Sequence, residues 1–180
     1  MMNWWRNNIV AAWGLLVLRL YLGWMWLEAG WHKITDGFTA KGFLTNAVAK
    51  PVADKATGEL IYPTYTAFIE HFALPNVKLI DFLIPWGELL VGLGLILGTL
   101  TTAAAFFGLL MNFMFLMAGT VSTNPWMVLI GTLVLVAGAN AGRIGGDLYV
   151  LPYLRKLWNR MFGGRGGDGK LAGNAAGRTV

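Results

Sequence analysis

Residues 79–142 read LIDFLIPWGELLVGLGLILGTLTTAAAFFGLLMNFMFLMAGTVSTNPWMVLIGTLVLVAGANAG, and in all of that length only Asp81 and Glu88 are ionisable. A soluble domain needs a charged exterior, whereas lipid accepts an apolar one. One crossing of a bilayer takes about 20 apolar residues of helix, so this stretch is too long for a single span and must divide at its turn signals. Gly98 to Thr102 reads as a tight turn between a span at 79–100 and a span at 102–121. Ser122-Thr123-Asn124-Pro125 reads as the next turn, with Pro125 suited to open a span from 126 to about 144.

Toward the N-terminus, residues 9–31 form a further apolar run. Arg19 interrupts it and no small-residue cleavage site follows, so it reads as a retained helix rather than a signal peptide. The expected fold is an all-α integral membrane protein: a four-transmembrane-helix bundle over residues 1–151, with an extracytoplasmic loop at 32–78 carrying short amphipathic helices. In that loop Tyr65, Phe68, Ile69 and Phe72 fall at i, i+3, i+4 and i+7, a helix that lies on the membrane or caps the bundle. Phe38, Phe43, Leu44 and Val48 indicate a second, and Lys50 to Gly58 reads as a polar, mobile connector. Residues 152–180 form a basic cytoplasmic tail whose end, from Gly163, is glycine-rich without apolar period and is expected to be disordered.

The whole chain agrees with that class, being 56% apolar and 13% charged. Cysteine is absent, which excludes disulfides, thiolate metal sites and iron–sulfur clusters, so any electron carrier is a bound molecule or another subunit. The net charge of +5 comes from basic residues beside the spans and in the tail. It therefore reads as topology and affinity for anionic lipid, not as nucleic-acid binding. Arg6 and seven Lys or Arg residues after the last span outnumber the five lysines of the loop. That bias expects a multi-pass plasma-membrane protein with both termini cytoplasmic.

A charge at mid-span costs at least ~2.5 kcal/mol on insertion scales, so Arg19, Glu28 and Glu88 each require a partner or a function. Taking Trp31, Leu79 and Val121 as outer ends, Arg19 lies about 18 Å deep and Glu88 and Asn112 about 13 Å deep, so these three are expected to meet. Steps of ~100° put Arg19, Trp26, Gly30 and Lys33 on one stripe and Trp24, Glu28 and His32 on the opposite one. The cluster reads either as a buried structural pair or as the polar wall of an outward-facing cavity. Trp4, Trp5, Trp31, Trp126 and Trp158 fall at expected interfaces, whereas Trp24, Trp26 and Trp86 lie deeper, beside the acids. Trp-x-Glu occurs at Trp26–Glu28 and again at Trp86–Glu88, and flat aromatic walls beside ionisable groups suit a quinone ring. His32 and His71 share a depth, but His71 sits on the surface helix, which argues against a bis-histidine haem; no metal site is expected.

Arg19-Leu-Tyr-Leu-Gly23 with Ala29-Gly30-Trp-His-Lys33 resembles the first helix of the DoxX/DoxD proteins. Glu88-Leu-Leu-Val-Gly-Leu-Gly-Leu-Ile-Leu-Gly98 followed by threonines is similar to that family's second helix, and Asn112 and the Ser122–Pro125 turn resemble a subgroup pattern. The resemblance covers roughly residues 15–150. It implies a four-helix membrane fold and thiosulfate oxidation with quinone as electron acceptor, and it makes Arg19, Lys33 and Glu88 functional candidates. The expected catalytic residues are Arg19, Glu28 and Glu88, with Arg19 or Lys33 attracting a small anionic substrate or a quinol oxygen and the acids handling protons. The expected quinone-binding residues are Trp26, Lys33, Trp86 and Asn112. A protein partner subunit or a second copy is expected, and the alternative class is a non-catalytic accessory subunit of a respiratory or redox-defence complex.

Overall fold

The computed structural model describes residues 2–162 and is all-helical there apart from one isolated antiparallel bridge, Ala53 to Leu60. The helices are α1 (Met2–Asn7), α2 (Ile9–Thr35), α3 (Lys41–Ala49), α4 (Pro63–Phe68), α5 (Val77–Leu97), α6 (Thr101–Met117), α7 (Asn124–Val136) and α8 (Asp147–Phe162). Helices α2, α5, α6 and α7 run alternately up and down around a core containing Leu15, Leu22, Trp26, Leu95, Ile130 and Val134. Their outward side chains, among them Trp13, Val17, Phe82, Leu90, Phe107, Phe113 and Leu129, are apolar and exposed, an exterior that lipid solvates.

By length and composition two helices can cross a membrane, α2 with 27 residues and α5 with 21. Helices α6 and α7 are apolar but shorter, at 17 and 13 residues. The expected fourth span to residue 144 stops at Val136 because Gly138 adopts φ +57, and a 3-10 turn, Gly138–Asn140, takes over. The turn expected around Gly98 is present: Gly98 ends α5 in the left-handed region, at φ +66, where a residue with a Cβ is strained.

The register of α2 against α5 is set by small residues. A Cβ on Gly92 would lie 2.5 Å from the Leu27 nitrogen, and one on Gly30 would lie 2.6 Å from the Leu89 nitrogen and 2.8 Å from the Pro85 carbonyl. The two backbones therefore touch, the close approach that dispersion favours between helices in lipid. This contact places Gly30 level with the segment 85–89 and, farther along, Gly98 level with Arg19.

The 32–78 loop folds back as a cap. Helix α3 buries Leu44 and Ala47, and α4 runs into a π-helical turn, Ile69–Ala73, that buries Ile69 and Ala73 against the same cluster. The extra residue of the π turn rotates the expected apolar face: Phe68 and Phe72 are exposed and stack on each other at 5.3 Å. Lys50 to Gly58 forms a polar, exposed hairpin tip in which Asp54 Oδ1 accepts from the backbone N–H of Ala56 and Thr57. The first part of the expected basic tail is α8, with hydrophobic and basic faces; the tail from Gly163 lies outside the described residues.

Candidate functional site

At the capped end of the bundle α2 and α5 bring Lys33 and Glu88 together. Lys33 Nζ donates to both carboxylate oxygens of Glu88, at 2.7 and 3.0 Å, and sits 5.7 Å from the centre of the Phe38 ring. The Glu88 side chain is 2% exposed and that of Lys33 28%. The pair forms one wall of a cavity of about 290 Å³, close to the lower end of the ~300–1,000 Å³ range of small-ligand sites. Trp26 of α2, Phe38 and Phe43 of the cap and Phe115 of α6 supply its aromatic surfaces, with Phe43 and Phe115 meeting edge to face at 6.0 Å. Ser122, Thr123 and Asn124 supply hydroxyl and amide groups from the α6–α7 turn. Asn124 is held there by its own Nδ2, which donates to the Thr120 carbonyl at 2.9 Å.

The stripes expected on α2 are those observed. Arg19, Trp26 and Gly30 are buried and Lys33 is half-buried, whereas Trp24, Glu28 and His32 are exposed. The two Trp-x-Glu motifs do not build two sites, because residues two apart on a helix point ~200° from each other. Trp26 faces in while Glu28 faces out; Glu88 faces in while Trp86 faces out, against Phe82. Each motif contributes one member to the cavity. Asn112 is buried on α6 with its Oδ1 unpartnered, and it is not among the residues that line the cavity.

Arg19 and Glu88 do not meet. Glu88 belongs with Lys33, and Arg19 is level with Gly98, ten residues and roughly 15 Å farther along α5. The depth estimate from sequence took Trp31 and Leu79 as equal ends, but α5 starts farther out: Asp81 Oδ1 accepts from the Ala40 nitrogen at 2.6 Å, well beyond Trp31.

Arg19 instead organises the other end of the bundle. Its Nη1 donates to the Ala141 carbonyl and its Nη2 to the Ile144 carbonyl, both at 2.9 Å. The loop so gripped delivers Asp147, whose Oδ1 accepts from the Leu100 nitrogen and Oδ2 from the Thr101 nitrogen, at 2.6 and 3.1 Å. Asp147 thus caps the start of α6 from a distant point in the chain, satisfying two of its free N–H groups. Asn140 Nδ2 donates to the carbonyls of Trp5 and Asn8 and ties α1 to the same loop. Sequence reasoning missed Asn140 and Asp147; the run Gly145-Gly146-Asp147, two glycines before an acid at a helix start, is the signal that marks the second.

Residues 14–126 match the sequence profile of DoxX. The chain belongs to the DoxX family. This is a membrane family, in keeping with the apolar exterior of the bundle. The matched region runs from α2 to the start of α7 and so contains Trp26, Lys33, Glu88 and almost all of the cavity wall; Asn140, Arg143 and Asp147 lie beyond it. No curated protein and no solved structure matches the chain.

Proposed function

We propose that this DoxX protein is the membrane subunit of a quinone-linked oxidoreductase, with the cavity beside Lys33 and Glu88 as its quinone site. The observation that carries the reading is an ion pair between buried Glu88 and half-buried Lys33, set into an aromatic-walled cavity in an apolar bundle. A quinone ring has flat apolar faces and two carbonyl acceptors, and the residues present fit it. Trp26, Phe38 and Phe115 offer ring surfaces, while Lys33 Nζ has three N–H donors and gives two to Glu88, keeping one for an acceptor. Bound there, a quinone supplies acceptance of two electrons and two protons. Lys33 orients a carbonyl oxygen, the cap excludes water, and Glu88 holds a proton at Oε1 or Oε2 when Lys33 turns toward the ligand.

The electron donor in this reading is thiosulfate or a related small sulfur oxyanion, as the family resemblance implies. Joining two thiosulfate ions through a new S–S bond releases two electrons, the number a quinone takes up. With no cysteine in the chain, those electrons arrive from the anion itself or from a partner subunit. Lys33, not Arg19, is the cation available at the cavity, since Arg19 is committed to backbone carbonyls at the far end. All four bundle helices cross the plasma membrane in this reading. The end bearing Arg6, Arg143, Arg155, Lys156 and Arg160 is cytoplasmic and the capped end faces outward.

The test is mass spectrometry of lipid extracts from the purified protein, together with thiosulfate-dependent quinone reduction in the presence of co-purifying subunits. Expected is near-stoichiometric quinone that is lost on Glu88→Gln and on Trp26→Ala. Absence of both quinone and activity refutes the reading. One observation favours a second reading, an accessory subunit: Lys33 and Glu88 already satisfy each other. A stable partner complex free of quinone selects it.

A further inference from the structure

The opposite end of the bundle holds a second cleft, of about 340 Å³, between α1, the 138–147 loop and α8. Three arginines line it: Arg6, Arg143 and Arg155. Two of the guanidinium groups are held by the fold, Arg6 Nε donating to the Val136 carbonyl and Arg143 Nη1 to the Asn7 carbonyl, both at 2.9 Å. Each keeps its remaining N–H donors. Among the described residues none of the three forms an ion pair. Asp147 is the acid in the cleft, and both its oxygens already accept from α6 backbone nitrogens. Three cations thus line one cleft against a single acid, Asp147, whose oxygens are turned to α6 and pair with none of them; the excess of positive charge, with two guanidinium groups held by backbone carbonyls, suits a phosphodiester or other phosphate.

The surroundings specify where that phosphate comes from. Helix α8 is amphipathic: Leu154, Leu157 and Met161 share one face and Lys156, Asn159 and Arg160 the other. All six are exposed. A helix of this kind lies in the membrane interface, at headgroup depth. Exposed Trp4 and Tyr149 stand at the same end, as interfacial aromatics do. We propose that the cleft is a binding site for the phosphate of an anionic phospholipid, whose acyl chains lie along the apolar face of α8 and the exposed start of α2. The lipid joins α8 to the bundle and so bears on the Asp147 cap of α6.

The experiment uses the full chain in neutral detergent with added phosphatidylglycerol, phosphatidylcholine or inorganic phosphate, reading thermal unfolding and retained lipid by native mass spectrometry. Salt is held at roughly 0.5 M, where the Debye length is only a few ångströms and diffuse surface attraction is screened. Expected is one tightly retained phosphatidylglycerol per chain and a rise in Tm that phosphatidylcholine does not give. Arg155→Gln, an exposed position without an anchoring bond, is expected to weaken retention by roughly tenfold, as loss of a charge-assisted contact does. Arg143→Gln does the same if it folds. Lys156→Gln removes an equal charge from the adjacent position, about 100° round α8 and outside the cleft lining, and leaves retention within about twofold, as screening requires. Equal losses in Arg155→Gln and Lys156→Gln overturn the proposal, since they signify general charge attraction. Stabilisation by inorganic phosphate that matches phosphatidylglycerol overturns the lipid assignment and leaves a site for a soluble phosphate.

Discussion

Because the two members of the Lys33–Glu88 pair are buried to such different degrees, removing either one has unequal consequences. Lys33→Met strands a carboxylate whose side chain is 2% exposed, and an uncompensated charge at such a site costs about 3–5 kcal/mol. Glu88→Gln leaves a carbonyl acceptor where Oε1 or Oε2 stood, and Lys33 is 28% exposed with the Phe38 ring still beside it. Its cost is the difference between a charge-assisted and an ordinary hydrogen bond, about 1–2 kcal/mol. Replacing both residues by Met removes the desolvation penalty along with the attraction, so the double variant is expected within about 1 kcal/mol of the wild type. At about 2–4 °C per kcal/mol for a chain of this size, Lys33→Met lowers Tm by roughly 10 °C, and Glu88→Gln by a few degrees. Thermal unfolding in detergent, followed by tryptophan fluorescence, separates the three. Equal losses in the two single variants, or a double variant less stable than Lys33→Met, refute the account of the pair. Retained quinone in the double variant refutes its place in the ligand site.

Arg19→Met removes two charge-assisted bonds and leaves the Ala141 and Ile144 carbonyls without those donors, an expected loss of about 3–5 kcal/mol. Since the site it leaves is roughly 15 Å from Glu88, ligand retained per folded molecule is unchanged; a selective loss of ligand in well-folded Arg19→Met contradicts the clamp. Burial in the cap raises the Tyr65 hydroxyl to about 12. The folded state therefore keeps that proton above the ordinary value near 10, and the cap is stable below pH ~10 and loosens as pH climbs toward 12. Ultraviolet difference titration of wild type against Tyr65→Phe checks the high transition, and the variant's stability falls less over that window.

Angular position was legible in the sequence, because a 3.6-residue period fixes which side chains share a face. That is why the split of α2 into a buried stripe with Trp26 and an exposed stripe with Glu28 was readable from spacing alone. Axial position was not legible. It depends on where two helices lock against each other, here the Gly30 and Gly92 contacts, and a shift of a few residues exchanges one ion pair for another. Lys33 rather than Arg19 reaches Glu88 for that reason. The aromatic cap shows the same limit: the residues of α3 were recognisable as amphipathic, but their seat over the cavity follows from the fold-back of a long loop, and the π turn that reorients Phe68 and Phe72 leaves no periodic trace. Gly145-Gly146 marks Asp147 locally, but nothing local names its partner, the start of α6 46 residues away.

The wide separation of Arg19 from its partners also bears on how the protein is made. Ala141 and Ile144 follow it by 122 and 125 residues. The nascent chain must therefore insert α2 while the acceptors for its guanidinium are still unsynthesised, at an insertion penalty of about 2.5–3.5 kcal/mol were the residue held at mid-bilayer. Until then α2 lacks those partners, and a shift along its axis that brings the arginine to headgroups and water lowers the penalty. Completion of the 141–147 loop supplies the partners, and the same loop caps α6, so biogenesis has a late checkpoint. Chains cut before residue 141 should reach the bilayer yet lack the latch, and membrane quality control should clear them.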